Sequence, residues 1–460
     1  MINVVLGGFM ANLDSSIVNV ALPTMSMDLN VGLATIQWTV TVYLLAITSC
    51  LPVFGRLSDL LSRKKVFITG FLIFTIGSAL CGLAESFRML VAMRALQALG
   101  AAMFMSINQA MIVSAFPPEE RGRALGINGT LIALGGLTGP ALGGLLVSWA
   151  GWRSIFYINV PIGILAYLAA RIILPADEKK QDAAFDYKGS VLFTLGLICT
   201  LFAVNNGSLF GWTSKIIEGS LGSGLVLLAV FFYTQMRVKV PLIDFRIYQN
   251  IPFMIGNLSS FLNHLTTFAN LILMPFYLQH ILSFSTGKVG LMMAIFPACV
   301  ALSAPVCGYL SDRYGPILLT TGGLLLKTSG FFYLFTVTAS SSFWQVAPSL
   351  VLLGIGAGMF QSPNISCTMG SVQPEQLGIA GGLNALARNL GQILGVSFSV
   401  LLFEHWQAAL LSGIYQPTAT QSTHAFVSAY HSVMLLVAGI SLASVFLAFY
   451  RRGYIMVKKE

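Results

Sequence analysis

Charge is what this sequence has least of. Only 9% of its 460 residues are Asp, Glu, Lys or Arg, against about 25% in soluble domains. Acid is scarcer than base, 16 residues to 25, and 56% of the chain is hydrophobic. A soluble globular protein is excluded. The basic excess does not point to nucleic acid, because Lys and Arg fall in short clusters between apolar runs rather than in one patch. The five histidines, His264, His280, His405, His424 and His431, show no metal-ligand spacing. No nucleophile–base constellation stands out, so no metal or other cofactor is expected and a membrane enzyme is a remote alternative. Cys50, Cys81, Cys199, Cys299, Cys307 and Cys367 sit in apolar stretches and read as small buried hydrophobes, with no disulfide or zinc framework. No soluble signalling domain is present, which leaves little room for a sensor. The one sizeable charged connector before residue 189 is PADEKKQDAAFDYKG, residues 175–189.

What remains is apolar sequence. Fourteen apolar runs can be drawn, near residues 2–25, 36–55, 66–84, 89–115, 122–149, 154–174, 189–208, 216–236, 251–280, 287–309, 316–338, 343–369, 378–403 and 426–450. Each is long enough to span a bilayer as a helix that satisfies its own backbone. The first lacks a basic leader and contains Asp14, so it reads as a retained span. With the N-terminus inside, 18 Lys and Arg fall in inner loops and the C-terminus, against Arg88, Arg153, Lys215 and Lys288 outside. That asymmetry predicts both termini in the cytoplasm.

The chain also repeats itself. Residues 96–139 match 352–395 at 16 of 44 positions without a gap. Matches include Gly100/Gly356, Ser106/Ser362, Asn108/Asn364, Gly135/Gly391 and Gly139/Gly395. GRLSD at Gly55–Asp59 returns as GYLSD at Gly308–Asp312. The fourth run thus maps onto the twelfth, eight runs later, so two helices must be inserted between two six-helix copies. The expected organisation is a six-helix bundle in 1–175, a cytoplasmic linker in 176–188, an inserted pair in 189–237 and a second six-helix bundle in 238–460.

Five places carry candidate chemistry. Asp14 lies about 9 residues, or roughly 13 Å, from Pro23, and Arg94 lies at a similar depth in the fourth run. A buried charge is costly unless paired or wetted, so the two are expected to meet, either as a proton carrier with its tuning partner or as a static pair. The GRLSDLLSRKK loop offers Gly55, Asp59 and Arg63, with Asp312 as the second copy of Asp59. Gly135, Gly139 and Gly143 share one helix face, with Gly144 and Pro140 beside them, a spacing that lets backbones touch. His264, Lys327 and Arg388 are basic groups in mid-run, each readable as a cavity residue or as a structural one. Asn19, in the same run as Asp14, joins them as a candidate for the substrate cavity.

These residues resemble the fourteen-helix drug:proton antiporter branch of the major facilitator superfamily, over nearly the whole chain. LDSSIVNVALP resembles that branch's first-helix signature, which places its membrane-embedded aspartate on Asp14. GRLSDLLSRKK matches the cytoplasmic gating motif, placing the gate on Gly55, Asp59 and Arg63. RALQALGAA matches the fourth-helix motif, whose arginine is Arg94. GGLTGPALGG, residues 135–144, is similar to the antiporter motif. The resemblance implies an all-α integral membrane protein with the major facilitator fold, two six-helix pseudo-repeats plus two inserted helices. It further implies export of small amphiphilic compounds from a bacterial cytoplasm, driven by the proton gradient alone, with proton-coupled uptake as the alternative. Lys327 stands outside the family's pattern, and the second half has no deep carboxylate, only Glu404 near an outer end.

Overall fold

A computed structural model describes residues 2–115, 118–174, 186–211, 213–238, 241–243, 245–373, 377–412 and 418–456. Among them no strand occurs, and the chain forms α1 (Ile2–Asp28), the short α2 (Leu33–Ile36), α3 (Trp38–Leu60), α4 (Arg63–Gly82), α5 (Phe87–Ala115) and α6 (Pro118–Ala150). There follow the short α7 (Ser154–Tyr157), α8 (Asn159–Ile173), α9 (Tyr187–Phe210), α10 (Lys215–Gln235) and α11 (Ile251–Phe276). The last five are α12 (Thr286–Tyr314), α13 (Pro316–Leu334), α14 (Phe343–Met369), α15 (Leu377–Leu411) and α16 (Ala419–Met456). Setting aside α2 and counting α7 with α8, fourteen long helices result. Twelve are long and apolar enough to cross a membrane. The other two are α6, whose apolar part is Leu134–Ala150, and α11, whose middle reads NLSSFLNHLTTFAN.

Helix ends follow local chemistry. The Ser62 hydroxyl caps α4 by accepting from Lys65 N at 3.2 Å, and Ser342 with Gln345 forms a capping box on α14. Gly315 turns the chain between α12 and α13 at φ 86°, a region open to glycine, and Pro316 then starts α13. Several helices overrun their apolar runs: α1 continues through Pro23 to Asp28, α3 runs on to Leu60, α12 to Tyr314 and α15 to Leu411, and α16 starts at Ala419. Asp14 is therefore at the middle of α1 and not nine residues from its end.

The sequence repeat is also a packing repeat. A Cβ on Gly70 would meet Gly100 O, Met103 and Phe104 N, and one on Gly323 would meet Gly356 O, Met359 and Phe360 N. Asn108 donates to Val4 O at 2.7 Å in the first half, and Asn364 to Gly256 O at 3.1 Å in the second. Each half thus builds the same backbone crossings, with α1, α4, α5 and α6 answered by α11, α13, α14 and α15. The halves join through α6 against α12 and α15 against α3, two contacts exchanged by the same pseudo-twofold. Among the described residues, close approaches between the halves occur at the end away from the basic Arg63–Lys65 turn. Gly144 meets Gly290 and Thr286 O there, and Gln279 Nε2 donates to Val20 O at 3.4 Å.

α9 and α10 form a hairpin outside this repeat. Thr194 donates to Ser49 O of α3 at 3.1 Å, while Leu225, Val226, Val230 and Phe232 on α10 are exposed and suit lipid. Asp186 and Gln235 close its base at 2.5 Å. With α9 about 36 Å long at 1.5 Å per residue, cysteines placed at the exposed Lys188 and Lys215 are expected to react with an impermeant maleimide from opposite sides of the membrane. Same-side labelling would remove the inserted pair.

Candidate functional site

Asp14 and Arg94 meet, as their matched depths predict. Arg94 Nη1 donates to Asp14 Oδ2 at 2.5 Å, and both side chains are wholly buried. The pair is the centre of a larger polar knot that the first half closes around. Gln97, one turn beyond Arg94 on α5, donates from Nε2 to Asp14 Oδ1 at 2.9 Å and accepts from Arg94 Nη1 at 2.7 Å. Asn159 of α8 donates to the same Oδ1 at 2.8 Å. Ser78 of α4 accepts from both amides at 3.0 and 3.2 Å and donates to Phe156 O at 2.9 Å. Arg94 Nε donates to Thr39 O at 3.1 Å, and its guanidinium carbon lies 4.1 Å from the centre of the Tyr43 ring. Five helices thus build the knot around one carboxylate, which accepts three charge-assisted or amide hydrogen bonds from α5 and α8 away from water.

Sequence reasoning singled out Asp14 and Arg94 and missed Gln97, Asn159, Ser78 and Tyr43. Gln97 carried a usable signal, since it sits at i+3 from Arg94 and shares its face. Asn159, in IFYINVPIG, is a polar residue in the middle of an apolar run. Asn19 is buried in this arrangement, its Nδ2 donating to Ser15 O at 2.9 Å.

The glycine face of α6 splits two ways. A Cβ on Gly135 would strike Phe9 O, one on Gly139 would strike Ser16 and come within 2.9 Å of Ile17 N, and one on Gly143 would lie 2.8 Å from Ile17 Cγ1. These three glycines seat α6 on α1 of its own half. Gly144 and Pro140 turn the other way: a Cβ on Gly144 would lie 2.8 Å from Gly290 Cα, and one on Gly290 would lie 2.7 Å from Pro140 O. One motif therefore fastens α6 to the carboxylate helix and to the opposite half at once. Gly391 and Gly395 repeat the first contact against Phe261 and Leu265 of α11.

The loop motif is placed only in part. Gly55 lies in α3 beside Ser106, and its copy Gly308 lies beside Ser362. Arg63 opens α4, whose cap is Ser62, and Lys64 donates to Leu174 O at the end of α8. The side chains of Asp59 and Asp312 lie outside the described residues, so the gate proposed on them is carried by sequence alone.

In the second half Lys327 is fully buried. Its ammonium is held by Asn263 O, Asn263 Oδ1, Thr266 Oγ1 and Thr267 Oγ1 at 2.7, 2.8, 2.8 and 2.7 Å. Its ammonium is saturated, and its side chain lines a small, mostly apolar cavity with Thr267, Asn270, Met293, Phe296 and Phe331. His264 and Arg388 are half-buried on α11 and α15. The His264 Nδ1 donates to Ser260 O at 2.8 Å. No group of three or more His, Cys, Asp or Glu side chains suited to a metal occurs among the described residues.

Comparison with known proteins agrees with this architecture. Residues 4–243 and 257–456 match the sequence model of the Major Facilitator Superfamily. The chain is 33% identical over 399 residues to a riboflavin transporter, RibZ, of Clostridioides difficile, covering 86% of each protein. It is 32% identical over 408 residues to the multidrug resistance protein Stp of Mycobacterium tuberculosis, covering 88% of this chain and 76% of that one. The tetracenomycin C resistance and export protein of Streptomyces glaucescens is 29% identical, over 86% of this chain and 74% of its own. Among solved structures, an inward-facing bacterial homologue of the human lysosomal transporter Spinster superposes with a TM-score of 0.70 at 16% identity, covering 98% of this chain and 95% of that one. With its repeated helices, its membrane-spanning composition and these matches, the chain belongs to the major facilitator superfamily and is a multi-pass membrane transporter, not an enzyme.

Proposed function

We propose that this transporter exports small amphiphilic molecules across the cytoplasmic membrane of a bacterium in exchange for protons, with both termini in the cytoplasm. The observation that carries the reading is Asp14, mid-way along α1 and bound by Arg94, Gln97 and Asn159. In the arrangement described, the halves touch at the end away from the basic loops, which the excess of Lys and Arg assigns to the outside. Asp14 is enclosed and paired. A proton reaching Asp14 in the outward-open arrangement removes its charge and loosens its bond to Arg94, and the halves close outside and open inside. Release of that proton to the cytoplasm restores the pair as substrate is taken up for export. The halves 1–175 and 238–460 rock about the α6–α12 and α3–α15 seams, and the 189–237 pair rides on α3.

Relatives named for multidrug resistance and for tetracenomycin C resistance and export support export, while a relative named for riboflavin leaves proton-coupled uptake as the second reading. Direction decides between them. Everted membrane vesicles energised by respiration, offered riboflavin, ethidium, rhodamine 123 and fluorescein, should accumulate at least one compound and lose it on adding a protonophore. Accumulation only in right-side-out vesicles would establish uptake instead.

A further inference from the structure

The two halves share a backbone plan but not a charge plan. By the pseudo-twofold, Thr266 stands where Asp14 stands, since Phe9 and Phe261 occupy matching crossings and Val4 matches Gly256. Lys327 takes the place of Phe74: a Cβ on Gly100 meets Phe74 N, and one on Gly356 meets Lys327 N. His264 takes the place of Asn12, and both make the same bond to the carbonyl four residues earlier, Asn12 to Gly8 O at 2.9 Å and His264 to Ser260 O at 2.8 Å. Arg388 takes the place of Ile132, whose side chain lies over Gly8, the counterpart of Ser260. Where the first half centres on a carboxylate, the second centres on three basic residues.

Two of those three have bonding capacity left over. The Lys327 ammonium is saturated by α11 oxygens. His264 spends Nδ1 on a carbonyl, which can only accept, so Nε2 is free for another partner. Arg388 lies one turn before Gly391, where α15 rests on Phe261 and His264. It is half-buried and makes no hydrogen bond or ion pair to the described residues. Among the described residues no carboxylate forms an ion pair with Arg388. Between residues 251 and 456 the only acids are Asp312, Glu375 and Glu404, and Glu404 lies roughly 24 Å further along α15. Arg94 shows the contrast, with Asp14 and Gln97 on its guanidinium and Tyr43 over it.

A guanidinium within a membrane-spanning helix faces either a counter-charge or a water-lined path. Both helices involved border the first half, α11 against α1 and α15 against α3. The geometry points to Arg388 and the Nε2 of His264 as the docking site for an acidic group of the transported molecule, so that the cargo is an anionic amphiphile. Arg388 supplies two parallel N–H donors to a carboxylate, a fit lysine lacks. Lys327, held on Asn263, Thr266 and Thr267 beside His264 along α11, adds a fixed positive charge that raises the attraction. This assignment rests on the export reading above and narrows it.

Two xanthene dyes of similar shape and opposite charge, fluorescein and rhodamine 123, test it with the purified full-length protein and with energised everted vesicles. The wild type should bind fluorescein more tightly than rhodamine 123, by fluorescence anisotropy. Arg388→Gln should weaken fluorescein binding by about tenfold or more, the size of a lost charge-assisted pair. Arg388→Lys should keep part of it. His264→Asn, which copies the first half and keeps the bond to Ser260, should weaken it less. Arg388→Glu should reverse the preference toward rhodamine 123, a gain that misfolding cannot mimic. Equal fluorescein affinity in wild type and Arg388→Gln, or a wild-type preference for rhodamine 123, overturns the assignment. Vesicles that concentrate rhodamine 123 and ignore fluorescein leave export standing and remove the anion site. Vesicles that move neither dye remove the anion site; export stands if they concentrate riboflavin or ethidium and falls if they concentrate none of the four.

Discussion

Asp14→Asn is expected to abolish accumulation of substrate against a gradient while leaving substrate binding and downhill exchange in place. Asn has nearly the size of Asp and can still accept from Gln97 or Asn159, but it cannot carry a proton. One charge moved through 100 mV is worth about 2.3 kcal/mol, so losing one coupled proton lowers the attainable concentration ratio by about fifty-fold. The substitution also strands Arg94, and breaking a buried ion pair on one side costs about 3–5 kcal/mol. A folded control is therefore needed. Asp14→Asn with Arg94→Gln removes both charges and should recover thermal stability without recovering uphill transport. Asp14→Glu keeps a titrating group and should keep part of the activity. Wild-type accumulation by Asp14→Asn would make the pair a packing device and nothing more.

The second large effect is steric. Gly144→Leu is expected to take transport below detection without unfolding either half. A single Cβ at Gly144 would already lie 2.8 Å from Gly290 Cα, closer than folded proteins allow, and 3.0 Å from Thr286 O, and nothing there can move aside because both are backbone atoms. Overpacking of this kind costs about 1–3 kcal/mol. Here the strain falls on the seam between α6 and α12, so the halves relieve it by parting at that end. Cysteines at Val20 and Gln279, which touch there, should cross-link readily in the parent and poorly in Gly144→Leu. Efficient cross-linking with normal transport would place that face of α6 outside the working seam.

The fold was largely legible because membrane helices announce themselves by length and apolarity, and the repeat gave the insertion of α9 and α10 without a structure. Asp14 and Arg94 were legible for a related reason: a charge in an apolar run is conspicuous. Gln97, Ser78 and Asn159 were not, since neutral polar residues are frequent in such helices and only three-dimensional convergence separates the knot from Asn19, which bonds within its own helix. Lys327 was conspicuous as a lone ammonium, but its cage comes from α11, about 60 residues earlier, and no local spacing records that. The two duties of the α6 glycines were equally hidden, because a four-residue spacing marks a contact face and not which helix, or which half, will occupy it.

The central claim is that protons and cargo move in opposite directions through one carboxylate. It is tested most directly in proteoliposomes loaded with a dye that the vesicles transport, diluted into lightly buffered medium without the dye and followed with a pH electrode. As dye leaves down its gradient, protons should enter the liposomes, the medium should turn alkaline, and Asp14→Asn should release dye with no pH change. Acidification of the medium as dye leaves, or alkalinisation that persists in Asp14→Asn, would contradict it.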